Sequence, residues 1–212
     1  NNEQFHNMLT NGVSIEVFES SQSIGKQVTL VDFDNIENNN FWAVNQLVIK
    51  ENNQSKRLDV VLFINGLPLV VLELKSAVSE KATLERAYTQ IQNYKTSVPS
   101  IFFYNALCVI SDGLDARASS LSAPFSRYLA WKSPEKSENG ILPELQILAE
   151  RMLDKETLLK LIRFNTVFES EEVKDDKTGL LQQAKIKKVA AYHQYYVVQK
   201  AIASTLRALN TD

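Results

Sequence analysis

Three ionisable residues lie within two otherwise apolar stretches of the chain and could together bind a divalent metal ion. Asp59 lies in RLDVVLFI, and Glu73 and Lys75 lie in LVVLELK. Burying a charge costs several kcal/mol unless the charge is paired or binds a metal, so a purely structural strand would avoid these residues. Adjacent carboxylates suit Mg²⁺ or Mn²⁺, which prefer oxygen ligands. A neighbouring lysine can hold a water molecule or neutralise developing phosphate charge.

A hairpin must position these residues. The nearly continuous apolar runs Arg57 to Ile64 and Leu69 to Lys75 are joined by the turn sequence NGLP, which predicts two buried strands. Because side chains alternate along a strand, Glu73 and Lys75 project from one face. Asp59 shares that face if it lies opposite Glu73, which requires a loop of three or five residues or a bulge. A strict two-residue loop would instead place it opposite Leu72.

The remaining elements predict an α/β domain, because strands alternate with amphipathic helices. Further strands are expected at Gln27 to Phe33, Phe41 to Lys50, Ala106 to Ser111, Arg127 to Lys132 and Lys185 to Ala191, and helices at Gln4 to Thr10, Ser79 to Tyr94 with Ser79 as N-cap, Leu142 to Leu153, Lys155 to Arg163 with Asp154 as N-cap, and His193 to Leu209. In the last helix, a stripe is expected to face the core; it comprises Val197, Ala201, Ile202, Thr205 and Leu206. The charge run Glu169 to Thr178 is expected to be a solvated loop.

Composition narrows the class of protein. The 212 residues are 44% hydrophobic and 23% charged, as in a packed globular protein. The single cysteine and two histidines exclude a structural Cys/His zinc site and favour the cytoplasm. No apolar run or signal pattern directs the chain to a membrane. Because the net charge is −2, any binding of nucleic acid must depend on a local patch or on metal ions.

The motifs resemble a known enzyme family. Asp59 followed by Glu73-Leu74-Lys75 resembles the PD-(D/E)xK nuclease signature, with Leu58 at the position of its often degenerate proline. The longer stretches RLDVVLFINGLPLVVLELK, QIQNY and VISDGLDARASSL resemble the amino-terminal region of the type I restriction enzyme R subunit. This resemblance covers most of residues 1 to 210.

The resemblance implies a restriction-endonuclease-like fold, in which a mixed central sheet is flanked by helices. It also implies an endonuclease that depends on Mg²⁺, with Mn²⁺ as a substitute, and that hydrolyses phosphodiester bonds of unmodified foreign double-stranded DNA. Asp59, Glu73 and the carbonyl of Leu74 would bind the metal. Lys75 would position the attacking water.

Other residues are assigned by the same resemblance. Gln90 and Tyr94 match the QxxxY element of the family, and residues four apart share a helix face, so both could meet the site or the DNA backbone. Arg57, two residues before Asp59, is expected to contact phosphate. Related nucleases also use a glutamate that precedes the sheet, and three candidates remain open: Glu3, Glu16 and Glu19.

The end of the chain resembles the start of a motor domain, where Gln194 matches an adenine-reading glutamine. We therefore predict a nuclease domain over residues 1 to 168, a charged linker over 169 to 184, and the start of a helicase-like motor over 185 to 212. No GxxxxGK occurs before Asp212, so ATP binding and hydrolysis are expected only in the full-length protein.

The expected partners are DNA and the methylase and specificity subunits of a type I complex. Two alternatives are a non-catalytic scaffold that docks motor or methylase subunits, and a metal-dependent hydrolase of another phosphodiester.

Overall fold

The structure is a computed structural model and describes residues 1–19, 22–76, 83–133, 143–174 and 181–209. The chain divides into two compact units, residues 1–113 and 114–212, which are described separately. The first unit contains α1 (Asn2–Asn11), β1 (Val13–Glu19), β2 (Gln22–Val28), β3 (Phe41–Glu51), β4 (Gln54–Ile64), β5 (Leu67–Leu74), α2 (Leu84–Ser97) and β6 (Leu107–Ser111). The second contains β7 (Ala116–Ser119), α3 (Glu144–Ile147), α4 (Lys155–Phe164), β8 (Thr166–Lys174), β9 (Leu181–Val189) and α5 (Tyr192–Leu209).

Within the first unit, the central sheet has the strand order β3-β4-β5-β6. β3, β4 and β5 are antiparallel neighbours, whereas β6 lies parallel to β5. Helix α2 packs on this sheet through residues spaced three and four apart, namely Leu84, Ala87, Ile91 and Tyr94. The predicted fold class, a mixed α/β sheet flanked by helices, is confirmed.

β5 and β6 form the centre of the core. Leu69, Val70 and Val71 of β5 are buried, and so are all five residues of β6. A strand covered on both faces is apolar at successive positions, which explains the continuous apolar runs in the sequence. Each such buried side chain contributes about 1.5–3 kcal/mol relative to an exposed one. A charged residue at the end of β5 therefore lies in a strongly apolar setting.

The β4–β5 hairpin contains a two-residue turn and a bulge. Asn65 and Gly66 both have positive φ, at 51° and 81°, as this tight turn requires. Phe63 pairs with Pro68 while Leu62 pairs with Val70, so Leu69 is an extra residue. Because of this extra residue, Asp59 lies opposite Glu73 and not opposite Leu72. Of the predicted alternatives, a longer loop or a bulge, the bulge is therefore confirmed.

The second unit corrects one expectation and confirms another. The charge run Glu169 to Thr178 was expected to be a loop, but its residues up to Lys174 belong to strand β8, which pairs with β9 in an antiparallel hairpin. Lys188 of β9 pairs with both Glu169 and Glu171, so charged residues stabilise this solvated ribbon. Residues 175–178 lie outside the described part of the chain. Asp154 caps α4, since its Oδ2 accepts hydrogen bonds from the first-turn backbone.

Several element boundaries differ from expectation. Ser79 lies outside the described residues, and Thr83 caps α2 instead. The strand expected at Gln27 to Phe33 is wrong, because β2 ends at Val28 and pairs with β1 in a separate hairpin. Arg127 to Lys132 forms no strand but a single bridge, between Leu129 and Ala118.

The expected orientation of the last helix is also wrong. Val197, Ile202 and Leu206 of α5 are 65%, 50% and 54% exposed, so the stripe does not face a core. Tyr195 is the one buried residue of this helix among those described. Among the described helices, none is both long and apolar enough to cross a membrane.

Candidate active site

Asp59 lies where the β4–β5 ladder ends. The last regular pair towards this end is Val60 with Leu72, and the next opposing residues in the same register are Asp59 and Glu73. Asp59 Oδ2 accepts a hydrogen bond from the backbone N–H of Leu74 at 2.8 Å. In a regular ladder a strand carbonyl would accept this N–H; here the Asp59 carboxylate accepts it instead. The bond fixes the carboxylate between β4 and β5.

Glu73 is a buried carboxylate with incomplete partners. It is 1% exposed, and its Oε1 accepts a hydrogen bond from Lys75 Nζ. Among the described residues, its Oε2 has no hydrogen-bond partner. Burial raises the pKa of Glu73, the hydrogen bond from Lys75 opposes that rise, and the negative charge of Asp59 adds to it. The site thus holds an excess of buried negative charge that a cation would offset.

Lys75 is held at the end of β5 by the neighbouring parallel strand. Its backbone N–H donates to the carbonyl of Ser111 at 2.8 Å, and its side chain is 31% exposed. The ion pair with Glu73 confirms that both residues project from one face. Sequence reasoning did not identify Ser111, although its position at the end of the apolar run ALCVIS marks where a parallel neighbour of β5 would end.

Helix α2 contributes Gln90 and Tyr94 beside the carboxylates. The Tyr94 hydroxyl donates to the carbonyl of Arg57 at 2.9 Å, which ties α2 to β4. That bond uses the only hydrogen of the hydroxyl, and Tyr94 also lies close enough to Glu73 to lower the pKa of that carboxyl. Burial raises the pKa of Tyr94, a hydrogen bond with Gln90 opposes the rise, and the charges of Glu73 and Asp59 add to it.

These donors fit a divalent cation. Asp59 and Glu73 supply two carboxylates, and the unpartnered Glu73 Oε2 is a buried oxygen that needs a cation or donor. Within the described ranges, no group of three or more His, Cys, Asp or Glu residues is arranged to hold a metal ion, and the backbone carbonyl of Leu74 is the third protein oxygen that the motif implies. Oxygen-only sites completed by water are typical of Mg²⁺.

Four further residues were predicted to contribute to the site: an arginine for phosphate and three candidate glutamates. The Arg57 side chain is exposed on β4. Of the candidate glutamates, Glu3 lies on α1, whereas Glu16 lies on the β1–β2 hairpin and accepts a hydrogen bond from Ser23. Glu19 lies at the end of β1, and its side chain is outside the described part. The choice among the three stays open.

Gln194, in the second unit, lies in the first turn of α5. Its side-chain Oε1 accepts a hydrogen bond from the backbone N–H of Ala191 at 2.9 Å. This contact closes the start of the helix, and the adenine contact stays a prediction.

Comparisons with known proteins identify the family of this chain. The family model described as "Type I restriction enzyme R protein N terminus" matches residues 1–127. The HindI endonuclease subunit of a type I restriction enzyme from Haemophilus influenzae is 42% identical over 98% of this chain and 19% of its own length. The EcoprrI endonuclease subunit from Escherichia coli is 29% identical over 69% of this chain and 48% of its own. A type I endonuclease subunit from Staphylococcus aureus strain COL is 26% identical over 80% and 19%.

The chain spans about a fifth of the length of the HindI subunit. The match to the family model covers more than half of the chain and includes β4, β5 and α2, which carry the predicted site residues. This chain belongs to the family of type I restriction enzyme R protein N termini.

Proposed function

We propose that this chain is the PD-(D/E)xK endonuclease domain of a type I restriction enzyme motor subunit and that it hydrolyses DNA phosphodiester bonds with Mg²⁺. The observation that carries the proposal is the buried Glu73 Oε2, which lacks a partner among the described residues and lies beside Asp59 and Lys75. A structural ion pair would need neither the second carboxylate nor an unsatisfied oxygen. The names of the relatives support a nuclease role in general.

The residues divide the chemistry between them. Asp59 and Glu73, with the Leu74 carbonyl, would hold the metal, which supplies positive charge that stabilises the phosphate in the transition state. Lys75, partly exposed at the strand end, is placed to orient a water molecule and to neutralise charge that develops on phosphate oxygens. Burial raises the pKa of Glu73 in spite of its ion pair with Lys75, and a bound cation would lower the cost of this buried charge further.

Binding of DNA would use groups around this centre. Arg57, exposed on β4, would contact phosphate, and Gln90 would contact the site or the DNA backbone beside Tyr94. The methylase and specificity subunits are proposed partners, and ATP is a proposed ligand of the full-length subunit, with Gln194 as its adenine contact. A cytoplasmic location remains an expectation.

The test is plasmid cleavage by the assembled enzyme that contains the full-length subunit. Wild type is compared with Asp59→Ala and Lys75→Ala, with and without Mg²⁺. Glu37→Ala and Lys132→Ala are matched controls, because each removes one like charge from an exposed position. ATP hydrolysis is measured in parallel, since it shows that each variant still assembles and that its motor still works.

We expect both site variants to lose cleavage by at least about a hundredfold while ATP hydrolysis persists, because general acid–base and electrostatic contributions are typically of that size or larger. Both controls should cleave like wild type. Equal cleavage by wild type, Asp59→Ala and Lys75→Ala would reject the proposal in favour of the docking scaffold.

A further inference from the structure

Gln46 has an unusual backbone conformation in the middle of β3. Its φ is +52°, in the left-handed region that side chains other than glycine and asparagine rarely occupy. The other described non-glycine residues with positive φ are all asparagines in two-residue hairpin turns, where such φ values are required: Asn52, Asn53 and Asn65. Gln46 lies in no turn.

The register places this residue opposite Asp59. Asn45 pairs with Val60 and Leu47 pairs with Leu58, so the residue between them on β3 faces Asp59 on β4. That pair is missing from an otherwise continuous ladder. Because the register is the same on both sides, no residue has been inserted and the feature is not a bulge. The left-handed conformation at Gln46 thus coincides with the missing pair opposite Asp59.

Asp59 is therefore unpaired in both ladders although β4 is a central strand. On the β5 side, its carboxylate accepts the N–H of Leu74 in place of a strand partner. On the β3 side, the conformation of Gln46 keeps the strands from pairing. The Gln46 side chain is exposed and has no described hydrogen bond. An influence of Gln46 on Asp59 would therefore act through the backbone and not through the side-chain amide.

We propose that Gln46 is a positioning residue for Asp59: its left-handed backbone holds the β3–β4 ladder open so that the Asp59 carboxylate can lie between β4 and β5 and bind metal. This inference rests on the proposed function, because it assigns Asp59 to the metal. Regular pairing at this position would draw the Asp59 backbone towards β3 and move the carboxylate away from Leu74.

The test compares substitutions by their tolerance of positive φ. Gln46→Gly and Gln46→Asn remove or shorten the side chain but permit the left-handed conformation. Gln46→Thr is polar and β-branched, which favours a regular strand, and Gln46→Ala is a second variant of the same kind without branching. Asn45→Thr is the matched control, because its neighbouring position on β3 is exposed and regularly paired.

Two readouts are measured on this 212-residue chain: Mn²⁺ affinity by electron paramagnetic resonance, and hydrogen exchange of the backbone amides near residues 46 and 59 without metal. We expect Gln46→Thr to exchange more slowly there and to bind Mn²⁺ at least about tenfold more weakly, as is typical when a group that orients a ligand is lost. Gln46→Ala should change both readouts in the same direction. Gln46→Gly, Gln46→Asn and Asn45→Thr should match wild type.

The failures can be told apart. If wild type binds no Mn²⁺, or if Asp59→Ala binds it equally well, the proposed function fails and this inference falls with it. If Asp59→Ala loses Mn²⁺ but Gln46→Thr and Gln46→Ala bind like wild type, only the inference is overturned. Equal loss in Gln46→Gly and Gln46→Thr would overturn it as well, because the side chain and not the backbone would then matter.

Discussion

Replacing Glu73 by Gln should stabilise the metal-free protein at neutral and alkaline pH. Gln fills almost the same volume but carries no charge, and Lys75, which loses its partner, is partly exposed and can be solvated. The pKa of Glu73 is raised in the folded state, so the folded protein binds more protons than the unfolded chain above about pH 4.5. Stability contributed by this residue is therefore lost as pH rises from that point through the folded pKa.

The size of the effect follows from linkage. Each unit by which the folded-state pKa exceeds the unfolded-state pKa lowers the unfolding free energy by about 1.4 kcal/mol at pH values above both. In a chain of this length, about 1 kcal/mol shifts Tm by roughly 2–4 °C. We expect Glu73→Gln to unfold at a higher temperature than wild type at pH 8, and the difference to vanish near pH 3, where Glu73 is protonated in both states.

Thermal unfolding followed by circular dichroism measures this difference, with Glu37→Gln as the exposed control that should show no pH-dependent difference from wild type. Adding Mg²⁺ should reverse the order. At a concentration a hundred times its Kd, a metal that binds only the folded state raises the unfolding free energy by about 2.7 kcal/mol. Glu73→Gln should gain little of this stabilisation, because it lacks one of the two carboxylates. A Glu73→Gln protein that is less stable than wild type at pH 8 without metal would refute the reasoning, as would a difference that does not change with pH.

Two further predictions concern Asp59 and Tyr94. Asp59→Asn keeps an acceptor for the Leu74 N–H, so it should lose Mn²⁺ binding but retain the stability of wild type. Asp59→Ala should lose Mn²⁺ binding and also about 1–3 kcal/mol of unfolding free energy, because that N–H is left unpaired. Calorimetric titration measures the binding and chemical denaturation the stability, and equal stability of both variants would contradict the hydrogen bond. Tyr94→Phe removes the hydroxyl with its bonds to the Arg57 carbonyl and to Gln90 and should cost about 0.5–1.5 kcal/mol for each bond, while Tyr94→Ala also removes a buried ring and should cost about 3–5 kcal/mol. Indistinguishable unfolding of these two variants in urea would show that the ring does not pack as described.

The site hairpin could be predicted because its constraints are local. Two apolar runs, a turn sequence and the parity of residues 59 and 73 sufficed to predict a bulge or a longer loop, and the bulge at Leu69 satisfies that condition. The sequence could not choose between them, because that choice depends on how Leu69 packs; its side chain is buried and its carbonyl accepts the N–H of Ala106.

The parts that were missed lack a burial pattern or depend on distant pairing. β1 alternates apolar and polar residues in VSIEV, but its partner β2 reads QSIGKQV and is exposed at all seven positions, so only one strand of the β1–β2 hairpin carries a strand pattern. In β8, charged residues pair across to Lys188 of β9, and a run of such residues resembles a loop when its partner is unknown. The periodicity of α5 shows that the helix is amphipathic but not what covers it, and its apolar side chains are exposed here.

The central claim is that Asp59 and Glu73 share one divalent ion. Anomalous diffraction from crystals of this chain soaked in Mn²⁺ tests it most directly. We expect an anomalous peak in contact with both carboxylates and the Leu74 carbonyl, and no such peak in Glu73→Gln crystals. A peak at some other place only, or saturating Mn²⁺ with no density between these two side chains, would contradict it.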